Sequence, residues 1–233
     1  MKKIAIVVFF IIIMTTLLSC SNNESDQLYL VKQTYTDKSG TTTTTYYYND
    51  EYKIIKQVTD TGKDSSTVSE YGYDENGHQN YQKVTSNSGL IQEIFMKNDS
   101  NGRVIERRIV SNYKGTVTET VTTIEYIDEN GSYTETSSSG VVTTCHLDEK
   151  GNFTDIISSG LSEQTVSYNN KYENGILLEA EMTTTRGTKI VKQIVKYEYD
   201  KYGNKVKSEV YDENGNVTLT ETFEYSNKPE IMK

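Results

Sequence analysis

Glycine spacing constrains this chain more than any other feature. The 15 glycines stand at positions 40, 62, 72, 77, 89, 102, 115, 131, 140, 151, 160, 175, 187, 203 and 215. With Gly72 set aside, every interval after the first is 9 to 16 residues. The segments between them alternate and are rich in Thr, Val, Ile and Tyr, as in Thr116-Val117-Thr118-Glu119-Thr120-Val121 and Lys189-Ile190-Val191-Lys192-Gln193-Ile194-Val195. β-Branched and aromatic residues at period two favour strands, and no helix of ordinary length is suggested. A strand of about 8 residues and a turn of about 4 fill a typical interval, so each Gly marks one reversal of an antiparallel meander. The expected fold is all-β: a long antiparallel β-meander of about 15 strands in one twisted, curled sheet. Open twisted sheets rarely exceed about 10 strands without curling or splitting. The terminal strands, near Leu28 to Tyr35 and Val217 to Tyr225, expose unpaired backbone groups unless they meet or recruit another chain.

Two turn chemistries alternate. One is acidic, as in Tyr73-Asp74-Glu75-Asn76-Gly77, Asp99-Ser100-Asn101-Gly102, Asp128-Glu129-Asn130-Gly131 and Tyr211-Asp212-Glu213-Asn214-Gly215. Asp suits the first position of a type I turn, where its carboxylate accepts backbone N–H groups, and Gly takes the left-handed closing position. The other turn is shorter and rich in hydroxyls, as in Asn87-Ser88-Gly89, Ser138-Ser139-Gly140 and Ser158-Ser159-Gly160. Alternation places the two classes on opposite edges of the sheet. The units Tyr199-Asp200-Lys201-Tyr202-Gly203-Asn204 and Tyr211-Asp212-Glu213-Asn214-Gly215-Asn216, spaced by 12, resemble the YD repeat of rearrangement-hotspot (RHS) and teneurin-type proteins. The resemblance extends, with decay, over roughly Tyr46 to Tyr225. It implies YD-like hairpin repeats in a coiling antiparallel sheet. The family's Gly-Arg-Leu is mostly replaced by Gly-Asn or Gly-His, with only Gly102-Arg103-Val104 close, and no cargo domain is read after the repeats, so encapsulation is not expected.

The N-terminus supplies an address. Met1-Lys2-Lys3 precedes the apolar run Ile4 to Met14, the charged and apolar regions of an export signal. That run of 11 residues is too short for a membrane-spanning helix, which needs about 20. Leu17-Leu18-Ser19-Cys20 resembles the bacterial lipobox, which implies lipidation of Cys20. Two or three acyl chains, at about 0.8 kcal/mol per buried methylene, anchor a domain durably. The organisation read from the sequence is a lipoprotein signal peptide over 1–19, the lipidated Cys20 and flexible tether over 20–27, one YD-like β-repeat domain over 28–228 and a C-terminal tail over 229–233. Removing residues 1–19 takes away Lys2 and Lys3 and leaves 22 basic against 33 acidic residues, a net charge of -11. Cys145 then has no intramolecular partner for a disulfide. The acidic tether Ser21-Asn22-Asn23-Glu24-Ser25-Asp26 looks like the surface-export signals of some Gram-negative lipoproteins. The cell envelope is the expected location, with the outer membrane or cell surface favoured over the periplasmic face.

Composition narrows the chemistry. A balance of 24 Lys+Arg against 33 Asp+Glu repels polyphosphate, so nucleic acid is not an expected partner. Two His and two Cys leave little for a structural metal or a disulfide framework. His78 and the pair Cys145-His146 are the candidates for nucleophilic catalysis. Adjacent strand residues point to opposite faces, which separates Cys145 from His146. His78 follows Gly77 where other repeats carry Asn or Arg. The Asp-x-Asn-Gly turns offer oxygen ligands but lack the bidentate Glu of a complete calcium loop. No catalytic residue, no metal and no cofactor are therefore expected. With five Phe and no Trp, an inner face relies on Tyr, Val and Ile, as in the last strand, where Val217, Leu219, Phe223 and Tyr225 share one face. Tyr46 and Tyr48, in the cluster Tyr46-Tyr47-Tyr48, are the candidate ligand-binding side chains, for a glycan or a peptide. The leading expectation is a non-enzymatic, lipid-anchored extracytoplasmic repeat protein with a structural or interaction role, whose partners are the membrane, through its lipid, and a glycan or protein.

Overall fold

The alternating strand chemistry is realised along the whole chain. The structure, a computed structural model, describes residues 27–62, 65–129, 131–160 and 163–232, and among these there is no helix. Cys20, the signal region and residues 21–26 of the tether lie outside the described residues. Sixteen strands follow one another: β1 (Tyr29–Asp37), β2 (Gly40–Tyr48), β3 (Ile54–Asp60), β4 (Ser66–Tyr73), β5 (Gln79–Ser86), β6 (Leu90–Asn98), β7 (Val104–Tyr113) and β8 (Thr116–Tyr126). The second half comprises β9 (Tyr133–Ser137), β10 (Val142–Leu147), β11 (Phe153–Ser159), β12 (Gln164–Glu173), β13 (Ile176–Arg186), β14 (Lys189–Tyr199), β15 (Lys205–Tyr211) and β16 (Val217–Ser226).

Each strand pairs antiparallel with the next, and β1 pairs with β16, Gln33 standing opposite Phe223 and Tyr35 opposite Glu221. The expected open, curled sheet of about 15 strands is thereby corrected to a closed barrel of 16. The physical reason lies in the two terminal strands. Each would present a row of unpaired backbone donors and acceptors, and pairing them with each other removes both edges at once.

The two faces of the wall differ sharply. Every buried strand residue among those described points inward, including Ile94, Ile156, Ala180 and Phe223. The apolar core sits on β10 to β12, where Cys145, Ile156 and Val166 pack with Tyr133, Phe153, Tyr168 and Met182. The outer face carries ion pairs along its height. Lys171 pairs with Glu179 at 2.7 Å and Glu181 at 2.6 Å, Lys32 with Glu224 at 3.0 Å, Arg108 with Glu119 at 3.2 Å, and Lys207 with Glu209 at 3.0 Å. A membrane-spanning barrel needs an outward apolar band about 25 Å tall, in which a midplane Lys or Arg costs about 2–4 kcal/mol. This wall instead carries charged pairs on its outer face, interspersed with exposed Phe95, Val117, Ile157 and Ile190.

The rims follow the turn chemistry with two exceptions. The acidic turns after β4, β6, β8, β10 and β14 share one rim, and the Ser- and Gly-rich turns lie on the other. The acidic Asp212 turn joins β15 to β16 on the hydroxyl-rich rim, and the short Asn174-Gly175 turn sits on the acidic one. Both ends of the barrel domain also lie at the acidic rim, because β1 starts and β16 finishes there. The tail folds back onto it: Tyr48 N donates to Glu230 O at 3.0 Å, and Met232 N donates to Tyr48 O at 2.8 Å.

A bulge follows most acidic-rim turns, and there the ladder inside each hairpin stops short. A side chain from the even-numbered strand then reaches the stranded carbonyl. Tyr48 OH donates to Leu30 O at 2.6 Å, Tyr73 OH to Ile54 O at 2.6 Å, Tyr199 OH to Leu177 O at 2.8 Å and Tyr225 OH to Lys205 O at 3.0 Å. In β6 and β12 an amide replaces the phenol, Asn98 Nδ2 donating to Gln79 O and Asn170 Nδ2 to Phe153 O. The structural repeat is therefore a two-strand hairpin, roughly twice the glycine interval. Its Tyr supplies a backbone partner where the sheet cannot, which satisfies an acceptor that burial would otherwise penalise.

Candidate binding surface on the inner wall

A row of inward side chains runs across the seam of the barrel. Tyr197, Ser208, Glu221 and Tyr35 are successive cross-strand partners on β14, β15, β16 and β1. Ser208 Oγ donates to Glu221 Oε2 at 2.8 Å, and Gln33 Nε2 lies 3.5 Å from Glu221 Oε1. Gln33 Oε1 in turn accepts from Tyr46 OH at 2.8 Å. Lys205 Nζ lies 4.5 Å from the centre of the Phe223 ring and 5.7 Å from that of Tyr197. Burial lowers the Lys205 ammonium, and Glu221 partly opposes that shift. Tyr46 is pushed up to about 12 by burial and then by Glu221. Tyr197 is also pushed up to about 12, by burial first and then by neighbouring phenols and Glu221. Both phenols stay protonated at neutral pH, and that of Tyr46 donates to Gln33.

Solvent reaches this row. Gln33, Tyr35, Tyr46, Tyr197 and Glu221 are only half-buried although the wall closes around them. Sixteen-strand barrels are wide enough to hold water in their interior. Carboxylate, amide, hydroxyl and ring face therefore converge on a wet concave surface, an arrangement suited to non-covalent recognition.

The two tyrosines singled out in the sequence divide. Tyr46 belongs to the row. Tyr48 is 4% exposed, its hydroxyl is spent on Leu30 and its ring meets Tyr29 edge-on at 5.6 Å, so it has no open face for stacking. Tyr47 points outward beneath Lys56, whose Nζ is 5.9 Å from the ring centre. Glu221, Ser208, Gln33 and Lys205 escaped sequence reading. One signal was present: Glu221 has the same strand parity as Leu219, Phe223 and Tyr225 and is the one charge among them. Val217, expected on that face, is 48% exposed instead. A bulge between Val210 and Tyr211 on one strand and Leu219 and Val217 on the other turns it outward.

The other candidates are occupied structurally. Cys145 is buried on the inner face, where burial raises its thiol pKa, and His146 faces outward, so the two do not meet. Each acidic-turn carboxylate already holds backbone donors, as in Asp74 Oδ1, which accepts from Asn76 N at 2.9 Å and His78 N at 2.8 Å. Those N–H groups hold the Asp74 carboxyl below its ordinary range. The His78 ring covers the neighbouring turn. A Cβ placed on Gly102, whose φ is +79°, would lie 2.6 Å from the ring. Lys53 covers Gly77 in the same way. An open cleft of about 570 Å³ separates the Asp74 and Asp99 turns. Among the described residues no group of three or more His, Cys, Asp or Glu is placed to hold a metal ion.

No protein-family model matches the sequence, and no curated protein is similar to it. Solved structures do share the fold. A porin-like protein from Bacteroides vulgatus is 14% identical with a TM-score of 0.56, the match covering 86% of this chain and 99% of that one. A porin-like protein from Bacteroides uniformis is 13% identical with a TM-score of 0.51, over 84% of this chain and 96% of that one. At this identity the likeness establishes the barrel architecture.

Proposed function

We propose that this chain is a lipid-anchored, non-enzymatic barrel of the bacterial cell envelope that stands on a membrane and does not span it. The observation that carries the reading is the ionic outer wall, with Arg108 and Glu119 paired near mid-strand and Lys171, Glu179 and Glu181 paired nearer the rim. Such a wall belongs in water, so attachment falls to the chain terminus, where Cys20 lies in the lipobox-like Leu17-Leu18-Ser19-Cys20. Eight residues, or nine Cα-to-Cα steps, separate Cys20 from Tyr29 at the acidic rim. Fully extended they reach about 30 Å, which holds that rim next to the bilayer and turns the hydroxyl-rich rim away. The Bacteroides origin of the fold neighbours is in keeping with an envelope role, and the acidic tether favours the outer membrane or cell surface. The YD-like hairpins make a shared ancestry with RHS-type repeats part of this reading.

Fractionation of expressing cells tests it. The wild-type chain partitions with membrane and needs detergent for release, whereas Cys20→Ala appears in the soluble fraction. Retention of Cys20→Ala in membranes after alkaline extraction would mean that the barrel itself is embedded, and the proposal would fall.

A further inference from the structure

We infer that the inner wall across the β14 to β2 seam is a binding site for a neutral oligosaccharide. The inference depends on the inner wall alone, so it survives or fails independently of the lipid anchor. Four features select this ligand class. First, the half-buried rings of Tyr35, Tyr46 and Tyr197 flank the polar pair Ser208 and Glu221. A sugar matches that alternation, since its C–H face stacks on a ring while its hydroxyls pair at the edges. Second, the bonds within the row leave capacity of both kinds: Gln33 Nε2 keeps a second N–H, and the Glu221 carboxylate and the Ser208 and Tyr46 hydroxyl oxygens keep lone pairs, so a hydroxyl that both gives and accepts a hydrogen bond can be satisfied in either role. Third, strand addition, the mode in which a sheet takes up the main chain of an extended peptide, needs a free strand edge, and closure of β1 on β16 removes it. Fourth, a fully apolar ligand would leave Glu221 and its partners desolvated without compensation. A polyanion is disfavoured by the acidic balance of the chain.

The test uses the full-length chain in mild detergent, titrated calorimetrically with a panel of neutral gluco-, xylo-, manno- and chito-oligosaccharides of two to seven units. At least one series binds in the millimolar range or tighter. Glu221→Gln weakens it about tenfold, because hydrogen bonds to a charged acceptor are the stronger ones. Tyr47→Phe, on the outer wall, leaves it unchanged. Saturation-transfer NMR on the wild-type protein, irradiating the tyrosine ring protons, needs no variant and gives transfer to sugar C–H protons. Silence across the panel by both methods would overturn the inference. So would binding that is indifferent to Glu221→Gln in a variant whose circular dichroism and unfolding midpoint match the wild type.

Discussion

Replacing Asp200 with Ala and with Asn separates geometry from charge in the acidic turns. Asp200 Oδ1 accepts from Tyr202 N at 2.8 Å and Asn204 N at 2.9 Å, and Oδ2 accepts from Asn204 Nδ2 at 3.0 Å. Asp200→Ala deletes all three acceptor contacts. A net hydrogen bond contributes about 0.5–1.5 kcal/mol, and water at the rim compensates the freed donors in part, so the loss is about 1–2 kcal/mol. In a domain of this size that lowers the unfolding midpoint by about 4 °C. Asp200→Asn keeps the Oδ1 acceptor, and the chain contains its own precedent. In the turn after β2, Asn49 Oδ1 accepts from Glu51 N at 3.0 Å and Lys53 N at 2.8 Å. The Asn variant therefore loses about 0.5 kcal/mol or less. Urea denaturation followed by far-ultraviolet circular dichroism measures both, and hydrogen exchange at the Tyr202 and Asn204 amides rises in Asp200→Ala alone. If Asp200→Asn were as damaging as Asp200→Ala, the carboxylate charge and not the acceptor geometry would hold the turn, and the reasoning would be refuted.

Acid should loosen the acidic turns, on whichever rim they stand, before the strands of the wall. The Asp74, Asp99 and Asp212 carboxyls are held below their ordinary value of 3.8, first by backbone N–H groups of His78, Arg103 and Asn216. A depressed folded-state value means that the stabilisation is complete above the unfolded value and is lost as pH falls through the folded one. A pH series from 6 to about 2 should show protection factors, taken relative to the intrinsic exchange rate at each pH, falling first at these turns, and a uniform fall across all strands would count against it. Inside the barrel, Arg107 pairs with Glu135 at 2.7 Å with both side chains largely buried. Arg107→Met alone should cost about 2 kcal/mol, and Arg107→Met with Glu135→Leu should recover most of it, as measured by denaturant midpoints. Cys145, in a Cys20→Ala background, should react slowly with a thiol reagent in the native protein and rapidly after denaturation, because burial raises its pKa. Equal rates would mean an open inner wall at β10.

Strand content and turn chemistry were legible because they are local. Period-two alternation and the Asp-to-Gly spacing each act within a few residues, and the backbone N–H groups that Asp74 and Asp200 were expected to receive are in place. Closure was not legible. It depends on twist accumulated over all 16 strands and on the meeting of Tyr35 with Glu221, 186 positions apart; no local pattern encodes that register. The bulges were hidden for a related reason. One extra residue in β16 reverses the facing of Val217 without disturbing the alternation that a reader sees. Glu221 could have been found by asking why a carboxylate interrupts Leu219, Phe223 and Tyr225, a question whose answer requires the neighbouring strands that bring Ser208 and Gln33 to it.

Sidedness, more than strand number, decides what such a barrel does. The geometry shared with the porin-like neighbours fixes a closed antiparallel wall, but it does not fix which face is apolar. Here Ile94, Ile156 and Phe223 face inward while Lys171, Lys207 and Glu224 face outward. The wall thus resembles a folded sheet with an interior core, interrupted on one side by the wet row around Glu221. The interruption falls at β14 to β2, which includes the strands that meet to close the barrel, and not at β10 to β12, where Cys145, Ile156 and Val166 form the apolar cluster. Stability and recognition are therefore housed on different sectors of the same wall. A substitution at Ile156 should act on folding with little effect on sugar binding, and Glu221→Gln should do the reverse.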